Sequence, residues 1–140
     1  MARWQPVNTL LVLLAGLGCG AGLDLPAAMA RADARTYAAC GRRAAPVSVE
    51  LVRGYIDCGP DARRAIGCAN LTYHTITLSR VLRTQAQLDI ATVHEYLHLL
   101  GAKHVPAGQG IMGVDRGSMI DRVTAADLAQ ADCPRRTPER

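Results

Sequence analysis

The sequence predicts a small α+β domain: a twisted sheet with one long histidine-bearing helix and a C-terminal helix. Three observations lead there. Apolar and polar residues alternate over 47–52 and again over 72–79, the period of half-buried strands. From Thr84 the period lengthens, with Ile90, Val93, Leu97 and Leu100 recurring at helical spacing. The chain has 140 residues, enough for one hydrophobic core and too few for two.

Residues 1–30 read as a secretory signal. Arg3 supplies a positive charge, residues 9–17 are apolar, and small residues gather at Ala28 and Ala30. Cleavage is expected near Ala30 or Ala34, giving a secreted or periplasmic protein. A lipoprotein signal at Cys19 is the weaker reading, because Gly16 stands where an aliphatic residue is usual. The apolar stretch falls short of the about 20 residues that span a bilayer, so no stable membrane anchor is expected.

The domain itself is expected over 31–133. Its Ala/Arg-rich lead-in, 31–46, has room for a short helix. The first strand sets Val47, Val49 and Leu51 against Ser48 and Glu50, and Gly59-Pro60 then breaks the chain. The second strand puts His74, Ile76 and Leu78 on one face. Lying just before the long helix, it is the expected edge for pairing with an extended peptide, with His74 as a packed or rim residue. Thr84 and Gln87 form a capping box that starts the helix, and Gly101 ends it by accepting positive φ. A Gly-rich loop covers 106–117. A last helix should run from Thr124, where Asp127 completes a second capping box, to about Cys133. Residues 134–140 form a flexible tail.

Composition excludes one large class of partner. The 16 Lys+Arg exceed the 12 Asp+Glu, but they are scattered as pairs such as Arg42-Arg43, Arg63-Arg64 and Arg135-Arg136. The chain has no Phe, and its one Trp is Trp4. No stacking platform accompanies the basic residues, so nucleic acid is not expected. With the signal removed, Cys40, Cys58, Cys68 and Cys133 remain, and an exported chain permits two disulfides. Three pairings are open; the preferred one joins Cys58 to Cys68 around a loop and Cys40 to Cys133 across the domain ends. Asp57, Asp115 and Asp121 read as solvated turn carboxylates, leaving calcium without support.

Three of the four histidines fall between His94 and His104. On a helix, His94 and His98 are one turn apart, about 6 Å along the axis, and face the same way. Both rings then reach one cation. A third ligand has to come from outside the helix; Gly101 permits the turn and His104 makes the return. Three neutral imidazoles leave one tetrahedral position open to water, which is the pattern of a catalytic zinc and not of a closed structural one. Glu95 flanks that position, where its carboxylate is placed to act as general base.

His94, Glu95, His98, Gly101 and His104 match the motif H-E-x-x-H-x-x-G-x-x-H of the metzincin zinc peptidases, which the chain resembles. Ile111-Met112-Gly113 follows at a spacing similar to the methionine turn of the matrixin branch, with Leu97 and Gly113 where matrixins usually carry Gly and Tyr. The resemblance implies a zincin-like fold, one catalytic zinc ion, Met112 as an apolar base under the imidazoles, and hydrolysis of protein or peptide substrates; a monomer is expected. Cys58-Gly59-Pro60-Asp61 resembles part of the matrixin cysteine switch, but an even cysteine count favours a disulfide. The rival expectation is a zinc-binding domain that has lost turnover and serves as an interaction or inhibitory module; a domain stapled by disulfides with no metal at all is the third.

Overall fold

Asp24 opens the first helix, α1 (Leu25–Cys40), by accepting a hydrogen bond from the Ala27 amide at 2.9 Å. Pro26 sits in the first turn, where its missing N–H costs nothing, and Gly41 closes the helix by donating to Tyr37 O at 2.7 Å. Ala28, Ala32, Thr36 and Cys40 recur every fourth residue and are all buried. They form a narrow stripe of small side chains, which lets α1 pack against the helix that carries the histidines. In this computed structural model residues 22–114 and 120–134 are described. Most of the expected signal, Cys19, Asp115 and residues 135–140 of the tail lie outside them.

Residues 31–40 of the lead-in are therefore the last ten of a 16-residue helix, which begins inside the stretch assigned to the signal. Ala30 and Ala34, the two cleavage points, both fall within it. Cleavage at either would remove Ala28, which is fully buried.

The sheet has three strands, β1 (Ser48–Val52), β2 (Gly67–Asn70) and β3 (Thr75–Ser79), in the order β1-β3-β2. β1 runs parallel to β3, with Val49 opposite Ile76 and Leu51 opposite Leu78. β2 is antiparallel to β3, with Cys68 opposite Thr77. The expected second strand starts three residues late because residues 70–74 form a turn: Asn70 Oδ1 accepts from the Thr72 and Tyr73 amides at 3.0 and 3.1 Å, and His74 has φ 53°. His74 thus belongs to the turn and not to the strand face. The expectation of a free edge is corrected as well. β3 is central, paired on both sides, and the outer strand beside the long helix is β2.

That helix is α2 (Gln85–Leu99). Thr84 Oγ1 accepts from Gln87 N at 3.1 Å while Gln87 Oε1 accepts from Thr84 N at 3.3 Å, the reciprocal box read from the sequence. At the other end Gly101 takes φ 90°, and Ala102 N reaches back to Leu97 O at 3.0 Å. Residues 91–97 are buried without interruption, since α2 packs against β2 and β3 as well as α1. Ile76, Leu78, Leu88, Leu97, Ile111 and Met112 fill the core between these elements. The last helix, α3 (Ala125–Leu128), is one turn long and not the expected ten residues. The chain leaves it to pair Asp132 N with Leu100 O at 2.7 Å and to bring Cys133 beside Cys40. Both demand backbone that a continuing helix would have withdrawn.

The molecule is thus a small α+β structure with a three-stranded mixed sheet. Cys40 with Cys133, and Cys58 with Cys68, lie at disulfide distance, the preferred pairing of the three. Among the described residues no helix is long and apolar enough to cross a membrane.

Candidate metal centre

α2 presents His94 and His98 one turn apart, and the segment after Gly101 returns His104 to them. Backbone bonding fixes the return: Ala102 is tied to Leu97, and Val105 N donates to Met112 O at 2.9 Å. The three rings meet with His104 Nε2 at 3.2 Å from Nε2 of both His94 and His98. Tetrahedral nitrogens held ~2.0–2.1 Å from a zinc ion lie about 3.3 Å apart. The spacing fits.

The opposite ring nitrogens decide the protonation. His94 Nδ1 is 2.8 Å from Ile111 O and His98 Nδ1 is 2.9 Å from Ala102 O. A carbonyl only accepts, so each Nδ1 carries the proton and each Nε2 offers a lone pair to the shared centre. A proton on His104 Nε2 could satisfy one of the two close contacts, not both. A cation satisfies all three. Burial pushes His94 down to about 4, and it lowers His98 and His104 as well. The neutral form that ligates a metal is the favoured one. Among the described residues these three histidines are the group of side chains close enough to bind a metal ion.

Glu95 lies on the flank of α2 and is 6 % exposed. Burial pushes its carboxyl up to about 8. Its Oε1 occupies the space where a side chain on Gly67 of β2 would begin, so β2 comes this close only because residue 67 has no Cβ. Glu95 and the three histidines line one cleft of about 550 Å³, with β2, the loop before it, and Gly113 and Val114 on the other sides. His94 is buried, His98 half-buried and His104 exposed, so the site opens to solvent at the His104 end.

Met112 is fully buried in the loop expected to underlie the site. What organises that loop is Asp127, which sequence reading took only as half of a capping box. Its carboxylate is 1 % exposed and accepts from Thr124 N at 2.7 Å, Met112 N at 2.9 Å and Ile111 N at 3.2 Å. The same Ile111 accepts the His94 Nδ1 proton through its carbonyl. Asp127 therefore holds the segment that orients the first histidine, across 33 residues of sequence that gave no hint of it. Gly110 belongs to this arrangement, for a Cβ there would collide with the Asp127 carboxylate.

The remaining candidates lie elsewhere. Asp57 caps its own turn through Gly59 N at 3.1 Å, and Asp121 pairs with Arg35 at 2.8 Å. Cys58 faces Cys68, away from a switch role, and Tyr96 is a buried packing residue. No protein-family model, curated protein or solved structure matches the chain.

Proposed function

We propose that the protein is an exported zinc-dependent endopeptidase of metzincin type. The observation that carries this reading is the convergence of three Nε2 lone pairs, two of them fixed by Nδ1–H bonds to backbone carbonyls, beside a buried carboxylate in an open cleft.

His94, His98 and His104 would hold the ion, which when bound polarises a peptide carbonyl and makes a nearby water more acidic. Glu95 receives the proton of the attacking water and returns it to the departing amine. Its burial suits the task, since a carboxylate poor in solvation holds a proton more readily, while a cation beside it keeps the resting group ionised. Asp127 and Gly110 keep Ile111 O under His94, and Gly67 gives Glu95 its space. The outer strand β2 borders the cleft and offers backbone groups to an extended peptide, so the substrate is held by strand addition along β2.

The experiment is to purify the folded protein, measure bound zinc, and assay a mixed peptide library beside Glu95→Gln. About one zinc per chain is expected in both proteins. Cleavage should fall at least about 100-fold in the variant, as removal of a general base does. Equal cleavage by both would overturn the assignment of Glu95, and absence of zinc would overturn the whole reading. Zinc retained without any cleavage by the parent protein would identify an inactive binding module instead.

A further inference from the structure

The cleft wall opposite α2 is the loop joining Cys58 to Cys68, and it carries Arg63 and Arg64 into the lining. This loop is well fixed. Cys58 and Cys68 lie at disulfide distance, Ile56 and Ala65 exchange both backbone hydrogen bonds at 2.9 Å, and Cys58 N donates to Ala62 O at 2.9 Å. Arg64 lies over the Tyr55 ring with 4.5 Å between its guanidinium carbon and the centroid, which limits where its charge sits.

Four of the other arginines among the described residues are neutralised in pairs, Arg31, Arg35, Arg42 and Arg43 with Asp89, Asp121, Asp132 and Asp33, while Arg53, Arg80, Arg83 and Arg122 lie outside the cleft. Arg63 and Arg64 make no ion pair among the described residues. Asp61 lines the same wall, which leaves its rim with one positive charge in excess.

We infer that this rim sets the substrate class: the cleft takes peptides bearing an acidic side chain close to the scissile bond, with the carboxylate docked on Arg63 and Arg64. The inference rests on the peptidase reading above. A guanidinium is a planar fork that matches a carboxylate with two parallel N–H···O bonds. A fork already positioned by a cross-linked loop loses less freedom on binding than one on a mobile segment. Because both arginines are exposed, the preference is modest and is screened by salt.

Binding is measured on zinc-loaded Glu95→Gln, which does not need turnover, with fluorescent peptides that differ only in Glu or Lys at positions flanking the central bond. The Glu peptide should bind about three- to tenfold more tightly at low ionic strength, with the gap closing as salt is raised. Adding Arg63→Glu and Arg64→Glu should reverse the order while zinc content stays the same. Equal binding of the two peptides, or a preference that survives both charge reversals, would overturn the inference. Cleavage of the same peptides by the parent protein separates the two failures. Equal kcat/KM values sink the acidic preference and leave the peptidase standing, whereas acidic-selective binding with no cleavage sinks the peptidase and leaves an acidic-peptide docking rim.

Discussion

The two long helices touch each other and are built to opposite rules. α1 buries a single stripe of small residues, Ala28, Ala32, Thr36 and Cys40, and turns arginines outward, where Arg31 pairs with Asp89 of α2 at 2.7 Å. α2 is buried on every side from Ala91 to Leu97, and within that stretch it carries a histidine and a glutamate. Burial of an ionisable group is costly unless it is neutral or satisfied. α2 meets that cost by keeping His94 neutral, by giving its Nδ1 proton to Ile111, and by pushing the Glu95 carboxyl upward. α1 has no such cost to meet. On the proposed function the difference separates a scaffold helix from one that carries the chemistry: damage to α1 should appear as lost stability, and damage to the half-buried ligand of α2, His98, as lost metal binding in a folded protein.

The most severe way to break the comparison is to remove the N-terminal part of α1. A protein beginning at Arg35 lacks Ala28 and Ala32 and exposes the face of α2 they cover; no cooperative thermal transition by circular dichroism is expected. This is also the product of cleavage after Ala34, so failure to fold would exclude that processing point, and a folded, zinc-binding product would show that this part of α1 is dispensable. Asp127→Ala comes next. It strands the Ile111, Met112 and Thr124 amides without their acceptor, and a loss of about 3 kcal/mol is expected by urea denaturation. A loss confined to a few tenths would show that water replaces the carboxylate. Ala32→Leu sharpens the contrast, because overpacking the helix contact should cost about 1–3 kcal/mol yet leave zinc content at one per chain.

The smallest effect is a slope. In the metal-free protein His94 is held near 4 against an ordinary 6.5. Between those values the unfolded chain binds the proton and the folded one does not, so stability is fully present above 6.5 and declines as pH falls towards about 4. Denaturation series in a chelator on Glu95→Gln, which removes the opposing titration of a carboxyl held up at about 8, should show a decline of no more than about 1.4 kcal/mol per pH unit from this group. A stability of that variant that rose on acidification across the same window would contradict a buried, neutral His94.

What could be read from the sequence was local. His94, His98, Gly101 and His104 lie within eleven residues, and helical period plus a glycine stop suffices to bring them together. Both capping boxes are equally local, and both formed. β2 was missed because Gly67-Cys68-Ala69-Asn70 contains no β-branched residue and no alternation; it is a strand by virtue of β3 beside it. α1 was obscured because its alanine-rich start reads as the small-residue end of an export signal. Asp127 satisfied a nearby role so well that its distant one, tying down Ile111 and Met112, left no mark in the pattern. The outer strand was misplaced for a related reason, since periodicity reports which face is buried and says nothing about how many neighbours a strand has.

Cys40 and Cys133 stand 93 positions apart, and the whole histidine-bearing segment lies between them. Once those sulfurs are joined, a single backbone cut in any intervening loop releases nothing: the two pieces stay covalently attached. The nicked protein would persist as one particle, migrating as a single band until a thiol reductant separates the fragments.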